Sequence, residues 1–263
     1  MVSGRRVSAR PQRPAGRVAD VAQAGTLARL ATSSTVRRQR RVWSRRVNSW
    51  DHHTPSGLEK VATEVLAAAS VRSGDRVVDL GCGTGQLSLP LAECGARVLA
   101  VDISSQMIAR MVGKARDRSL SGVEGVAMPI EDFSMPAQSV DMVVTSYALH
   151  HLRDPDKSRV VSAAYDWLRP GGTLIVADMM FGRGATRHDR AIIKSKVKAL
   201  ARKGIGGWWR IAKNAYRYLV RVQERPVSMA AWTQMFARAG FDAITSASIV
   251  AEAGLVTGRR PDL

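Results

Sequence analysis

The sequence of 263 residues is poor in cysteine and has no long apolar run. Its two cysteines, Cys82 and Cys94, are too few for a disulfide framework or a cysteine-rich metal site, which is typical of a reducing compartment. No run is long enough to span a membrane, and the N-terminus lacks the apolar segment of a secretory signal. We therefore expect a cytoplasmic protein, with peripheral membrane contact as the open alternative.

Acidic residues are scarce only in two parts of the chain. Residues 1–50 hold twelve arginines and one acidic residue, and residues 183–221 hold twelve basic residues and one acidic residue. The remainder is slightly acidic, so the net charge of +18 belongs to two appendages. Residues 1–38 have few large apolar side chains, which predicts a disordered basic tail. Such a start also resembles an organelle transit peptide or an extended gene start.

Downstream of residue 57, short apolar runs alternate with stretches of helical periodicity. Strands are predicted near 75–80, 97–102, 123–128, 139–145 and 172–178, and helices near 57–70, 86–94, 104–118, 157–168 and from Ser228 to Gly240. Ser104 is the expected N-cap of one helix, and Pro170-Gly171-Gly172 is expected to stop another. Runs near 243–250 and 252–257 are joined too tightly for a crossover and must pair antiparallel. The pattern predicts an α/β fold: a Rossmann-like doubly wound sheet, mostly parallel with an antiparallel last strand, and helices on both faces.

Three glycines, Gly81, Gly83 and Gly85, stand where the first predicted strand turns into a helix. Glycine there lets a ligand approach the backbone, and the helix offers unpaired N–H groups. The spacing G-x-G-x-G differs from the G-x-G-x-x-G of dinucleotide sites. Asp79 precedes the loop and would repel a pyrophosphate, whereas Asp102 ends the second strand and could accept both hydroxyls of a ribose. We therefore expect a cationic, ribose-bearing ligand without phosphate, and neither NAD nor NADP.

Four ordered motifs, "VVDLGCGTG", "VLAVD", "SVDMVVTSYALHHL" and "LRPGGTLIVAD", resemble the class I S-adenosylmethionine-dependent methyltransferases. The similarity is greatest to the small-molecule branch, which includes quinone, sterol and phosphoethanolamine methyltransferases, and it covers residues 70–180 well. It implies a methyltransferase with S-adenosylmethionine as cofactor. It also implies three parts of the chain: a helical cap segment over 39–70, a methyltransferase domain over 71–258, and a helical lid insertion over 181–227.

The resemblance implies a cofactor role for particular residues. Asp79 would face the methionine amino group, and the backbone of Gly81 and Gly83 would pass beneath the cofactor. Asp102 would hold the ribose, and Ile103 would cover one face of the adenine. The remaining implied cofactor-binding residues are Gly85, Ile130, Glu131 and Ser146.

Recognition of the adenine amino group departs from the family pattern. Pro129 occupies the position where relatives have an aspartate, and proline cannot accept that hydrogen bond. Glu131 or Asp132 could substitute, with Ile130 packing on the ring. A solvated loop is the alternative for these two acids.

His150 and His151 follow the fourth predicted strand on the cofactor side of the sheet. Phosphoethanolamine methyltransferases have an active-site histidine at the position of His151, so the resemblance implies His151 as the main catalytic candidate and His150 as the second. A general base accelerates transfer when the acceptor is a hydroxyl or an acidic carbon. The alternative to a catalytic role is that one of these histidines only caps the following turn or hydrogen-bonds the backbone. Tyr147 could donate a hydrogen bond from its hydroxyl, although the role of an aromatic residue in the core fits it better.

Two flanking segments complete the predicted site. Trp50-Asp51 matches an aromatic-Asp pair that closes over the cofactor in relatives, and His52 and His53 would then approach the acceptor. No metal site is expected, because adjacent histidines lack a third ligand at the usual spacing. Residues 181–227 alternate apolar and basic residues at helical spacing, which predicts a lid over a small, largely apolar acceptor.

Two other functions stay open from the sequence. The basic segments could bind RNA, but no base-amine methylation motif, suitably placed cysteine or RNA-binding module is present, so nucleic acid is disfavoured as a partner. The basic lid face could instead rest on anionic lipid. A non-catalytic cofactor-binding protein is the third alternative.

Overall fold

The computed structural model describes residues 34–50, 57–181 and 225–262, together with Arg187, Arg190 and Lys194. Within 34–50, side chains are described for Val36, residues 39–45 and Val47. Most of the predicted tail and of the predicted lid therefore lies outside the described residues. The first of the described helices begins at Ser34, so the tail boundary predicted at residue 38 falls inside a helix.

Seven strands form one sheet in the order β3-β2-β1-β4-β5-β7-β6. They are β1 Arg76–Leu80, β2 Arg97–Asp102, β3 Val123–Ala127, β4 Val140–Ser146, β5 Leu168–Met179, β6 Asp242–Val250 and β7 Ala253–Arg259. The first five pair in parallel, and β7 runs antiparallel to both β5 and β6. The Rossmann-like fold with an antiparallel last pairing, predicted from the alternating pattern and the short final connection, is confirmed.

Six α-helices are described within residues 34–181 and 225–262. They are α1 Ser34–Trp50, α2 Leu58–Ala69, α3 Ser88–Glu93, α4 Ser105–Asp117, α5 Asp154–Trp167 and α6 Met229–Ala239. Ser104 caps α4 by accepting from the Met107 N–H at 3.3 Å, as predicted. Gly240 ends α6 in a left-handed conformation with φ 97°. Among the described residues, no helix is both long and apolar enough to cross a bilayer.

The start of β5 differs from the prediction. Pro170-Gly171-Gly172 is the predicted stop after the helix near 157–168, and α5 does end at Trp167, but the strand predicted near 172–178 begins at Leu168 and includes these residues. Gly171 donates its N–H to Arg260 O at 2.9 Å, and Gly172 accepts from Arg260 N at 2.8 Å. This stretch belongs to the sheet because it pairs with Arg260 near the end of the chain. The local sequence pattern does not indicate such a long-range pairing.

The core lies on both faces of the sheet because neighbouring strand residues point to opposite sides. Val78 of β1 belongs to a buried cluster that also includes Trp167 of α5 and Trp232 and Phe236 of α6. Val77 packs on the other side, among residues of α2 and α3. With helices covering both faces, the carboxyl ends of the parallel strands remain as the open edge, which is where such sheets bind ligands.

Candidate active site

The glycine loop after β1 forms the floor of a cleft at this edge. Gly81 and Cys82 both donate their N–H groups to Val101 O, at 2.7 and 3.0 Å, which fixes the loop onto the end of β2. Gly81 has φ 79°, and a Cβ added there would lie 2.3 Å from the Cβ of Ala148. The loop passes so close to the turn after β4 that only glycine fits.

Two buried carboxylates stand beside this loop. Asp79 is 1% exposed and its Oδ2 accepts from Ser88 Oγ at 2.6 Å. Burial raises the pKa of Asp79 from 3.8 to about 7, the Ser88 hydrogen bond opposes that rise, and the nearby Asp102 adds to it. The site therefore favours a cation that would stabilise the Asp79 carboxylate.

Asp102 is held by the backbone on both of its oxygens. Oδ2 accepts from the Gly83 N–H at 3.0 Å, and Oδ1 accepts from the Ser104 N–H at 2.8 Å. Burial raises its pKa, and these two hydrogen bonds oppose the rise. Each carboxylate oxygen has a second lone pair, so Asp102 can still accept from two neighbouring hydroxyl groups.

The structure brings most of the predicted cofactor residues to one cleft. Its lining includes Asp79, Gly81, Gly83, Asp102, Ile103, Ile130, Glu131, Ser146 and His151. Pro129, the position at which the implied family pattern is not matched, lines the same cleft. Glu131 is an exposed residue of a short 3-10 turn, Ile130–Asp132.

Gly85 is a predicted cofactor residue that the cleft lining does not include. It has φ 93°, and a Cβ there would lie 2.7 Å from Met111 Cγ and 2.9 Å from Leu89 Cγ. Gly85 thus allows α3 and α4 to pack closely beneath the loop.

The two predicted catalytic histidines occupy different environments. His151 is half-buried and lines the cleft, whereas His150 is buried and is not among the lining residues. Asp178, near the end of β5, accepts from the His150 N–H at 2.8 Å and lies 2.5 Å from His150 Nδ1. The rings of His150 and His151 are 4.0 Å apart between centroids. Of the two, only His151 reaches the cleft.

Helix α1 covers the cleft from the other side. Gln39 and Trp43 line it; Gln39 Nε2 donates to His151 O at 3.2 Å, and the Trp43 ring meets the His151 ring edge-on at 5.2 Å. Ser44 Oγ donates to Gln106 Oε1 at 2.7 Å. Helix α1 thus spans the cleft from the β2 end to the β4 end.

Gln39 and Trp43 were missed from the sequence, and the signal that could have identified them was weak. Val36, Trp43 and Val47 share one apolar face of α1 at a spacing of seven and four residues, but the many arginines between them suggest a tail. The pair predicted instead was Trp50-Asp51. Nothing is described of the Trp50 side chain, and Asp51, His52 and His53 lie outside the described residues.

The cleft fits the cofactor that the resemblance implies. Asp79 offers a buried carboxylate to an ammonium group, and Gly81 leaves the backbone bare. Ser146 Oγ is buried and has no hydrogen-bond partner among the described residues, so it can bond a ligand. Within the same residues, no group of three or more His, Cys, Asp or Glu side chains could hold a metal ion.

Comparison with known families gives the same assignment for the middle of the chain. The family described as "Methyltransferase domain" matches residues 77–172. An uncharacterized methyltransferase of Oceanobacillus iheyensis is 28% identical over 140 residues, covering 52% of this chain and 63% of that protein. The chain therefore spans about three fifths of the length of this curated relative.

Two further proteins resemble the chain. The ubiquinone biosynthesis O-methyltransferase of Xanthomonas axonopodis pv. citri is 33% identical over 138 residues, covering 49% of this chain and 55% of that one. A solved structure of a SAM-dependent methyltransferase from Aquifex aeolicus aligns with a TM-score of 0.56 at 16% identity. It covers 82% of this chain and 97% of the other. That structural likeness shows the fold.

Proposed function

We propose that the protein is a class I S-adenosylmethionine-dependent methyltransferase that transfers a methyl group to a small, largely apolar acceptor, because residues 77–172 match the family described as "Methyltransferase domain". The observation that carries the proposal is the lining of the cleft, whose residues form two groups of different chemistry. One part has the glycine loop with Asp79 and Asp102, and another has His151 among Trp43, Tyr147 and Leu152. The first part suits a charged, ribose-bearing cofactor, and the second suits an apolar molecule.

The residues of the first part would hold the cofactor. Asp79 would bind the amino group, Asp102 the ribose hydroxyls, and Ile103 and Ile130 would pack on the adenine. When bound, S-adenosylmethionine supplies an activated methyl group on a sulfonium centre. Such chemistry asks the protein mainly to align the acceptor and exclude water, and positioning can be worth about 7–11 kcal/mol.

The acceptor would enter where the segment 182–224 begins and ends. At its start, Phe181 packs with Met179 and Tyr147 at the end of β5. At its end, the Arg225 N–H donates to His150 O at 2.6 Å. Phe181 and Arg225, the described residues on either side of this segment, therefore lie near the turn that carries His150 and His151, and this supports the proposal that 181–227 covers the acceptor.

His151 would act as base or hydrogen-bond partner for the acceptor. Gln39 bonds the backbone O of His151 and Trp43 packs edge-on against its ring, and both contacts favour an imidazole held at the cleft wall. Burial, with a smaller contribution from Glu252 and Asp178, raises the pKa of Tyr147 to about 12. Its hydroxyl therefore stays protonated at neutral pH and cannot accept a proton as a base. A neutral Tyr147 hydroxyl can still donate a hydrogen bond at neutral pH.

The partners of the protein are also proposals. The acceptor would be a small molecule, as the similarity to the ubiquinone O-methyltransferase suggests. Arg187, Arg190 and Lys194 are exposed, which fits a basic face turned to solvent or to an anionic membrane surface. RNA and a purely cofactor-binding role are the alternatives that the next experiment separates.

Label transfer tests the proposal directly. The protein, tritiated S-adenosylmethionine and a cell extract are incubated together, and the products are divided into organic-soluble, aqueous small-molecule and RNA fractions. We expect label in the organic-soluble fraction. Label in RNA would favour the RNA methyltransferase, and binding of S-adenosylhomocysteine without any transfer would favour the non-catalytic alternative.

Cofactor affinity should depend on pH through Asp79. In the ligand-free protein this carboxyl is protonated below about pH 7, and an ammonium beside it would lower its pKa. Binding then needs the ionised form, so affinity is full above pH 7 and should fall about tenfold per pH unit below it. Calorimetric titration with S-adenosylhomocysteine from pH 5.5 to 8.5 measures this slope.

The matched variant for this prediction is Asp79→Asn. Asparagine keeps the shape of the side chain but cannot ionise, so binding should be weak at every pH and this slope should vanish. An unchanged slope in Asp79→Asn would assign the titration to another group. A flat profile in the wild type would remove Asp79 from cofactor binding.

A further inference from the structure

Tyr147, the residue that follows β4, has a backbone conformation that is unusual for a bulky side chain. Its φ is 50°, in the left-handed region that glycine adopts freely and an aromatic residue rarely does. The other non-glycine residues with positive φ in the described parts of the chain are not aromatic: Ser70, Ser119, Gln138 and Ala243. Strained residues of this kind cluster at ligand sites, so the position of Tyr147 calls for an explanation beyond the fold.

Contacts with the end of β5 hold Tyr147 in place. Its N–H donates to Ala177 O at 2.9 Å. Its side chain packs against Met179 and Phe181, and its ring meets the His150 ring edge-on at 6.2 Å between centroids. The same side chain lines the cleft. The strained backbone therefore presents an aromatic side chain, packed on two sides, at the cleft wall.

The hydroxyl of Tyr147 is a donor that the described fold does not use. The side chain is half-buried, and none of the hydrogen bonds of the described residues involves this hydroxyl. Its pKa, raised by burial to about 12, keeps the proton in place at neutral pH, and Glu252 and Asp178 act on it through their charge only. A hydroxyl that is partly withdrawn from water gains from an acceptor atom on a bound molecule.

The charges along the cleft restrict the kind of molecule that Tyr147 can meet. Among the described lining residues, the carboxylates are those of Asp79, Asp102 and Glu131, and there is no lysine or arginine. A carboxylate or phosphate on the acceptor would find no cation there, and a charge withdrawn from water without a partner is costly. Asp79 and Asp102 are assigned to the cofactor, so an uncharged acceptor fits the cleft best.

We propose that Tyr147 is a specificity-determining residue whose hydroxyl donates a hydrogen bond to an oxygen of an uncharged acceptor and turns that acceptor toward His151. Tyr147 and His151 both line the cleft, and the ring of His150 contacts both of their rings. One small molecule can therefore reach both side chains. The proposal rests on the proposed function for the transfer step, but recognition of the oxygen can be measured without transfer.

The test compares Tyr147→Phe with Tyr165→Phe in the full-length protein. Phenylalanine at residue 147 keeps the ring and removes only the hydroxyl. Tyr165 packs on Phe241 and does not line the cleft, which makes it the matched control. The two probes are acetophenone and α-methylstyrene, which have nearly the same shape, but only the ketone oxygen accepts a hydrogen bond. Each probe is titrated, with NMR detection, into protein saturated with S-adenosylhomocysteine.

The ratio of the two affinities isolates the hydrogen bond, because the difference in hydration between the probes cancels when variants are compared. Tyr147→Phe should reduce the preference for acetophenone about fivefold, which is the effect of one neutral hydrogen bond. Tyr165→Phe should keep the wild-type ratio. The affinity for S-adenosylhomocysteine should be unchanged in both variants.

Rates with tritiated S-adenosylmethionine and the fraction that accepts label add a second measurement. Tyr147→Phe should lower kcat/KM for the acceptor about fivefold and leave the KM for S-adenosylmethionine unchanged. A tyrosine that only packs the cleft wall would give wild-type rates when it is replaced by phenylalanine.

The outcomes separate the two proposals. An affinity ratio that does not change in Tyr147→Phe would overturn recognition of the oxygen, as would failure of both probes to bind the wild type at millimolar concentration. Label confined to acceptors that are ionised at neutral pH would overturn the uncharged class. Absence of any label transfer in the wild type would overturn the proposed function alone, and a ratio that falls in Tyr147→Phe would then still support the hydrogen bond.

Discussion

Gly81→Ala should lower the affinity for S-adenosylhomocysteine by about a hundredfold or more, because overpacking of about 1–3 kcal/mol adds to backbone strain. The new Cβ would lie 2.3 Å from Ala148 Cβ, which no real pair of atoms tolerates. Residue 81 would also keep a φ of 79° that alanine adopts at a cost. Relief requires the glycine loop and the β4 turn to separate, and both line the cofactor cleft. Calorimetry on the folded variant measures the effect.

The chain offers both a control and a rescue for this change. Gly74 has φ 88° and no atom within 4 Å of an added Cβ, so Gly74→Ala carries the strain without the clash. It should cost about 1 kcal/mol of stability and leave affinity unchanged. Ala148→Gly in the Gly81→Ala background removes the clashing methyl and should restore most of the affinity. Loss of binding in Gly74→Ala, or no recovery in the double variant, would contradict the steric account.

The fold was largely predictable because its signals are local. Apolar runs of strand length alternate with helical periodicity, and the caps Ser104 and Gly240 mark helix ends through their own chemistry. The start of β5 was not predictable in this way. Its assignment depends on Arg260, which is distant in sequence, and Pro-Gly-Gly in isolation favours a turn.

The contrast between local signals and long-range contacts also separates the predicted from the unpredicted residues of the site. Asp79, Gly81, Gly83 and Asp102 belong to successive strand ends, and a parallel sheet brings such ends together. Trp43 and Asp178 act through contacts between distant segments. Trp43 is also hidden among arginines, and no spacing rule connects Asp178 with His150. These residues required the structure.

His151→Ala should slow methyl transfer by about a hundredfold, the range in which a positioned acid or base contributes. Affinity for S-adenosylhomocysteine should stay within about twofold, because the cofactor's polar groups are assigned to Asp79 and Asp102 and one apolar wall contact is worth little. The readouts are initial rates with tritiated S-adenosylmethionine and the labelled acceptor fraction, and calorimetry for the cofactor. A loss of rate without loss of affinity places His151 at the reacting group.

His151→Phe separates the ring nitrogens from the ring itself. Phenylalanine retains an aromatic ring against Trp43 and His150, and the Gln39 bond to the residue 151 carbonyl remains, since it uses the backbone. If the imidazole handles a proton or a hydrogen bond, His151→Phe should be as slow as His151→Ala. Wild-type rates in His151→Phe with slow transfer in His151→Ala would make the residue a packing element of the acceptor wall. Wild-type rates in both would remove it from the reaction, and the base would have to be sought elsewhere along the cleft.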